Sequence, residues 1–142
     1  MNNESLAERY ILDSFGLIAY LEGSSGSDLI TTILQKAEEG KIHVYFSLVN
    51  YGECVYIIER EQGLMQAQEM IALVDQLPLE IVSVDRLRTF AAAHIKAHYP
   101  ISYADAFAVG LAQEFGATIL TGDPEFSRVE HIVSILWLSQ QR

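Results

Sequence analysis

ATILTGDPEF, residues Ala117–Phe126, begins as a strand and abandons that conformation within one residue. Ala117 to Leu120 is a short apolar run of the kind buried inside a sheet. Thr121, Gly122, Asp123 and Pro124 follow at once. Gly122 allows a tight turn and Pro124 bars the strand from continuing, since it has no backbone N–H to give to a ladder. A hydroxyl and an acid are thereby delivered just past the carboxyl end of a strand. In open α/β sheets that edge is where ligands bind.

Working outward, the same grammar repeats. Tyr10 to Leu12 is an apolar run that ends in Asp13, and Phe15 to Leu21 behind it reads as a short buried helix. After the loop Gly23-Ser24-Ser25-Gly26-Ser27, apolar residues at helical spacing run from Asp28 to Glu39, and Gly40 closes them. Ile42 to Phe46 reads as a strand, Ser47 as a helix cap, and Leu48–Arg60 and Leu64–Leu77 as helices separated by Gly63. Glu80 to Val84 is a third strand. Asp85 caps a helix that runs to about His98, where Tyr99-Pro100 stops it. Ser102 opens another helix that lasts to about Phe115, before Gly116 and the strand Thr118–Leu120; Ile132 to Leu136 reads as a fifth strand. Strands that alternate with helices predict an α/β fold: a short, mainly parallel sheet of four to five strands with helices on both faces.

Bulk properties narrow the function classes. A chain of 142 residues, half of them hydrophobic, is expected to form one domain over residues 1–142. No apolar run reaches the ~18 residues of a membrane span. Met1 to Arg9 is polar, without the basic start and apolar core of a signal peptide. The lone Cys54 has no intramolecular disulfide partner. These features predict a cytoplasmic protein. The net charge of −10, from 19 acids against 9 basic residues, excludes a protein that grips nucleic acid by general charge attraction. It leaves room for an enzyme whose bound metal ions reverse the local sign.

Most acids lie in polar runs such as Glu38-Glu39 and Glu59 to Glu61. Asp13, Glu53, Asp105 and Asp123 do not. Each has an ordinary structural explanation: Asp13 as an N-cap worth about 1 kcal/mol, Asp105 as the fourth residue of a Ser102-x-x-Asp105 capping box, Asp123 as a turn residue, and Glu53 as a solvent-facing helix edge. Glu53, however, has only Asn50 and the Tyr56 hydroxyl as polar company at helical spacing. Asp105 opens a run, Ala106 to Ala112, with no other charge, whose small residues predict close packing on the sheet. Taken as a set, two acids follow strands and two sit in helices against those strands, so a parallel sheet gathers them at one edge. Clustered carboxylates raise one another's pKa values and call for a cation. An oxygen-only ligand set favours Mg²⁺ or Mn²⁺ over zinc, and such a centre supports in-line displacement at a phosphodiester.

With these residues assembled, the chain resembles the PIN-domain ribonucleases, among them the VapC-type toxins of bacterial toxin–antitoxin pairs. ILDSFGLIAYLEG around Asp13, SLVNYGECVYIIE around Glu53 and ISYADAFAVGLAQEFGATILTGDPEF around Asp105 and Asp123 carry the resemblance, which extends from about Tyr10 to Leu138. It implies a metal-dependent endoribonuclease with a PIN-like fold. Asp13, Asp105 and Asp123 would match the metal-binding aspartates. Glu53 would match a helix glutamate that holds metal directly or through water. Thr121 would match a hydroxyl that orients the last acid or the attacking water, with Ser14 assisting beside Asp13. RNA would be the substrate, a small antitoxin the protein partner, and a homodimer the expected assembly, with no membrane association.

Two other classes compete. One is a non-catalytic binding module of the same fold, favoured by the acidic surface; Arg60, Arg86, Arg88, Lys96 and Arg128 are the basic residues available for phosphate, and each also suits a solvated surface. The other is a phosphatase or receiver domain, disfavoured because no DxD follows the first strand and no lysine follows a late one. His94 and His98, four apart, lack a third zinc ligand and fit a helix end. Cys54 reads as a small buried hydrophobe. Trp137 and the seven tyrosines lie within apolar runs and read as packing residues rather than base-stacking ones. No P-loop or GxGxxG supports a nucleotide cofactor.

Overall fold

A computed structural model describes residues 8–138. The strands are β1 (Glu8–Leu12), β2 (Ile42–Ser47), β3 (Glu80–Val82), β4 (Thr118–Thr121) and β5 (Ile135–Trp137). The helices are α1 (Ser14–Glu22), α2 (Ser27–Glu38), α3 (Leu48–Gln62), α4 (Leu64–Val74), α5 (Arg86–His98) and α6 (Tyr103–Phe115), with a 3-10 turn over Pro124–Val129. The strands form one sheet in the order β3-β2-β1-β4-β5, and every pairing is parallel. This is the α/β architecture expected from the alternation of elements.

Side-chain parity along the strands splits the core in two. Leu12, Val44, Phe46 and Leu120 face α1, α2, α3 and α4, packing on Leu17, Ile30, Leu34, Cys54 and Met70. Ile11, Tyr45 and Ile119 face α5 and α6, packing on Ala92, Ala106, Val109 and Phe126. A parallel sheet covered on both faces has this two-sided apolar pattern.

Register sets the functional edge. Leu12 pairs with Phe46 on one side and with Leu120 on the other. The next residues, Asp13, Ser47 and Thr121, therefore leave the sheet along one rim. The chain runs from β1 outward through β2 and β3, then crosses back to place β4 on β1's other side. The crevice between β1 and β4 is the point where strand order reverses, which is the usual ligand position of such sheets.

The turn at Asp123 leads into a 3-10 turn, started by Pro124's fixed φ and the Asp123 cap. Two expectations need correction. The last strand is Ile135–Trp137 rather than Ile132–Leu136, because the N–H groups of Ile132 and Val133 both turn back to the Val129 carbonyl. β3 ends at Val82, not Val84, which is exposed on the approach to the Asp85 cap. Ala106, Ala108 and Ala112 are buried as expected of close packing, but Gly110 lies against Ala91 and Ala92 of α5.

Candidate metal centre

Each acid reaches the rim through a local backbone device. Asp13 is the N-cap of α1: its Oδ1 accepts from the Gly16 N–H at 2.8 Å. Its Oδ2 accepts from the Thr121 hydroxyl at 2.6 Å, a bond that spans β1 and β4. Thr121 Oγ1 in turn accepts the Asp123 N–H at 3.0 Å, and Asp123 Oδ1 accepts the Glu125 N–H at 2.9 Å. One hydroxyl thus ties two of the acids together. Asp13 is 1 % exposed, and burial, reinforced by the charge of Asp123, lifts its carboxyl to about 7 against the pull of its two hydrogen bonds.

Asp105 shows only half of a capping box. Ser102 Oγ accepts the Asp105 N–H at 3.1 Å. The reciprocal bond, from the Ser102 N–H, goes to Glu125 Oε1 at 3.2 Å instead of to Asp105. Glu125, carried in by the 3-10 turn, does the capping, and the Asp105 carboxyl is left for the cleft. Asp105 and Glu125 share a hydrogen bond between carboxyls. Burial and that bond hold Asp105 far above the carboxylate range, while the same bond holds Glu125 below its usual value.

The carboxylates of Asp105, Asp123 and Glu125 each offer an oxygen within 4.8 Å of the others. A cleft of about 450 Å³ opens on them. Glu53, Ser14, Glu22 and Ser24 line it too, with Phe15, Ile18, Ala19 and Ile57 on the apolar side. The structure therefore brings Glu53, Asp105 and Asp123 to one cavity, and Thr121 and Asp13 stand behind it. Asp13 does not line the cleft. Its charge acts on Asp105 through the wall.

Glu53 finds a different companion from the one its helix spacing offers. Ser14 Oγ donates to Glu53 Oε1 at 2.5 Å. Asn50, fully buried, donates from Nδ2 to Ser14 Oγ and to the Ala104 carbonyl, both at 3.2 Å. A carbonyl only accepts, so the Asn50 amide nitrogen must face Ala104, and Oδ1 is left with no partner among the described residues. The chain of donors runs one way, from Asn50 through Ser14 to Glu53, and joins α6, α1 and α3.

Glu125 was not among the expected site residues; the cap at Asp123 bends the chain back and carries it in. Of the basic residues, Arg88 is bound twice to Glu114 at 3.0 Å, and Arg128 holds the Pro100 carbonyl at 2.6 Å. Arg60 and Arg86 lie over the rings of Tyr56 and Phe90. Among the described residues, no lysine or arginine lines the cleft. His98 Nδ1 bonds the His94 carbonyl at 2.9 Å, a helix-end contact. Cys54 is buried, and burial pushes its thiol up to about 12.

Comparison with solved structures returns chains of this architecture. VapBC2 of Rickettsia felis, bound to a DNA fragment from its promoter, is 16 % identical, with a TM-score of 0.73 over 92 % of this chain and 99 % of that one. VapC20 of Mycobacterium tuberculosis, described as a sarcin-ricin loop cleaving toxin, is 18 % identical, with a TM-score of 0.68 over 84 % of this chain and 94 % of that one. FitAcB of Neisseria gonorrhoeae is 16 % identical, with a TM-score of 0.64 over 89 % of this chain and 96 % of that one. At these identities the likeness is one of fold. No curated protein sequence matches the chain. The family model of the PIN domain matches residues 10–132, and the chain belongs to that family.

Proposed function

We propose that this protein is a metal-dependent endoribonuclease, the toxin of a toxin–antitoxin pair, acting as a single domain in the cytoplasm. The observation that carries the reading is the set of Asp105, Asp123 and Glu125 oxygens, within 4.8 Å of one another, at the strand-order reversal. All donors are carboxylate oxygens. This donor set fits Mg²⁺ or Mn²⁺. Asp105, Asp123 and Glu125 would hold the ion directly, with Glu53 on the same cleft and Asp13 behind it as the further ligands.

Such an ion, when bound, supplies charge neutralisation at the phosphodiester and activation of a water. The remaining work falls to the chain. Asp13 receives the Thr121 hydroxyl behind the cleft, which ties it to the turn that carries Asp123. Thr121 fixes the Asp123 backbone, and Ser14 fixes Glu53. The test is Asp123→Asn, assayed for RNA cleavage in Mg²⁺ and Mn²⁺ with folding checked by circular dichroism. A loss of at least the roughly 100-fold seen for outer-sphere partners is expected with the fold intact. Wild-type rates in the variant would sink the mechanism.

The antitoxin partner is proposed from the fold neighbours, one of which is a toxin–antitoxin complex from Klebsiella pneumoniae. A homodimer is proposed with it. A second reading, a non-catalytic module of the PIN fold, rests on the lack of basic residues lining the cleft among those described. Metal titration against a panel of structured RNAs separates the two: tight partner binding with no cleavage of any substrate favours the module.

A further inference from the structure

The cleft has a mixed lining. Asp105, Asp123, Glu125 and Glu53 are acidic; Phe15, Ile18, Ala19 and Ile57 are apolar. Phe15 stands out among the apolar ones, because it is 44 % exposed although it lies two residues from the buried Asp13. Its ring is seated on Gly122, in the turn that carries Asp123. A Cβ built on Gly122 would fall 2.5 Å from Phe15 Cε1, 3.2 Å from Cζ and 3.3 Å from Cδ1, so only glycine lets the ring lie there. One edge of the ring is therefore fixed by backbone next to a proposed ligand, and the rest faces the cleft. An exposed, backbone-seated aromatic beside an acidic centre has no packing role that explains its exposure.

The charge balance points the same way. With a net charge of −10 and no lysine or arginine among the described residues lining the cleft, phosphate contacts with the chain give little affinity for RNA. The alternative source is base stacking, which works on any base because every base has a π-face.

We propose that Phe15 is the stacking platform for a nucleobase of single-stranded RNA, next to the phosphate positioned at Asp105, Asp123 and Glu125. This rests on the nuclease reading for its substrate class. It goes beyond that reading by naming a residue that recognises the base rather than the phosphate. Unpaired RNA follows from the chemistry, since a base inside a duplex has no free face to offer.

The test uses short single-stranded RNAs with 2-aminopurine at successive positions, titrated with the full chain in Ca²⁺ and read by the fluorescence quenching that stacking causes. Cleavage is assayed separately in Mg²⁺ and Mn²⁺. In the wild type one label position is expected to be quenched. Phe15→Ala is expected to lose that quench and to bind about 5- to 150-fold more weakly, the range for removing one base–aromatic stack. Phe15→Trp is expected to keep both. Gly122→Ala, which pushes the ring aside without removing it, is expected to weaken the quench as well. In the cleavage assay Phe15→Ala is expected to raise KM more than it lowers kcat. Because Phe15 is already half exposed, circular dichroism should show all three variants folded.

RNA binding with no label quenched, or wild-type affinity in Phe15→Ala, overturns the proposal. Cleavage without quenching sinks the stacking and leaves the nuclease reading standing. Quenching without cleavage does the reverse.

Discussion

At the scale of residues, Ser14 is the hinge of the Asn50–Ser14–Glu53 chain. It has one proton and gives it to Glu53 at 2.5 Å, although the Asn50 carbonyl lies within reach at 3.2 Å. It accepts from Asn50 in return. Ser14→Ala strands a buried amide donor and removes a donor from a carboxylate. A loss of about 1–3 kcal/mol is expected, measured by urea denaturation. Protonation gives a second residue-level prediction. In the unfolded chain Asp13 ionises near the ordinary aspartate value of about 3.9; folded, it holds its proton to about 7. The folded state binds more protons across that window, so stability falls as pH rises through it. Asp105, also raised, acts in the same direction, and Glu125, lowered, acts in the opposite direction only in its own more acidic range. In chelator the protein is expected to melt at a higher temperature near about pH 5 than near about pH 8. Mg²⁺ or Mn²⁺ is expected to shrink or reverse that gap, because binding requires the carboxylates to be deprotonated.

At the scale of elements, Gly16 of α1 decides between two rules. Helix propensity alone predicts that Gly16→Ala gains up to about 1 kcal/mol. The structure predicts the opposite sign. A Cβ there would stand 2.7 Å from Leu12 Cδ1 and 3.2 Å from both Asp13 Oδ1 and the Leu120 carbonyl. Leu12 is fully buried and Leu120 contributes backbone, so neither gives way cheaply. Overpacking of about 1–3 kcal/mol is expected to win, with a net loss in chemical denaturation. Elements are also where the sequence was most legible. Strand–helix alternation, the caps at Ser47, Asp85 and Ser102, and the apolar parity of β1 are local, and local patterns are written in consecutive residues. What stayed hidden was long-range. The Thr121–Asp13 bond joins residues 108 apart. Glu125 replaces Asp105 in a cap 23 residues upstream of it. Asn50 was visible as company for Glu53, but its bond goes to Ser14 of another helix. The strand Ile132–Leu136 was misplaced because Ile132 and Val133 are apolar yet spend their N–H groups on a turn.

At the scale of the whole molecule, the charge of −10 makes salt a diagnostic. A protein that neutralises many phosphates releases many counterions and weakens steeply as salt rises. Here Arg88 and Arg128 are already engaged by Glu114 and by Pro100. RNA affinity in a fixed concentration of divalent ion is expected to fall with a log–log salt slope of magnitude below about 2, read by fluorescence anisotropy. A slope several times steeper would reveal a basic track outside the cleft. The strand order has a further consequence, one of timing. β1 is the centre of the sheet, but its neighbour β4 is separated from it by almost the whole chain. A ribosome adding about 5–20 residues per second delivers Asp13 several seconds before Thr121 and Asp123. Throughout that interval one edge of β1 has no strand to pair with, and the acids have no common cleft. The molecule is assembled around a gap that its last segment fills, so a nascent chain stopped before β4 is chemically idle and sticky along that edge.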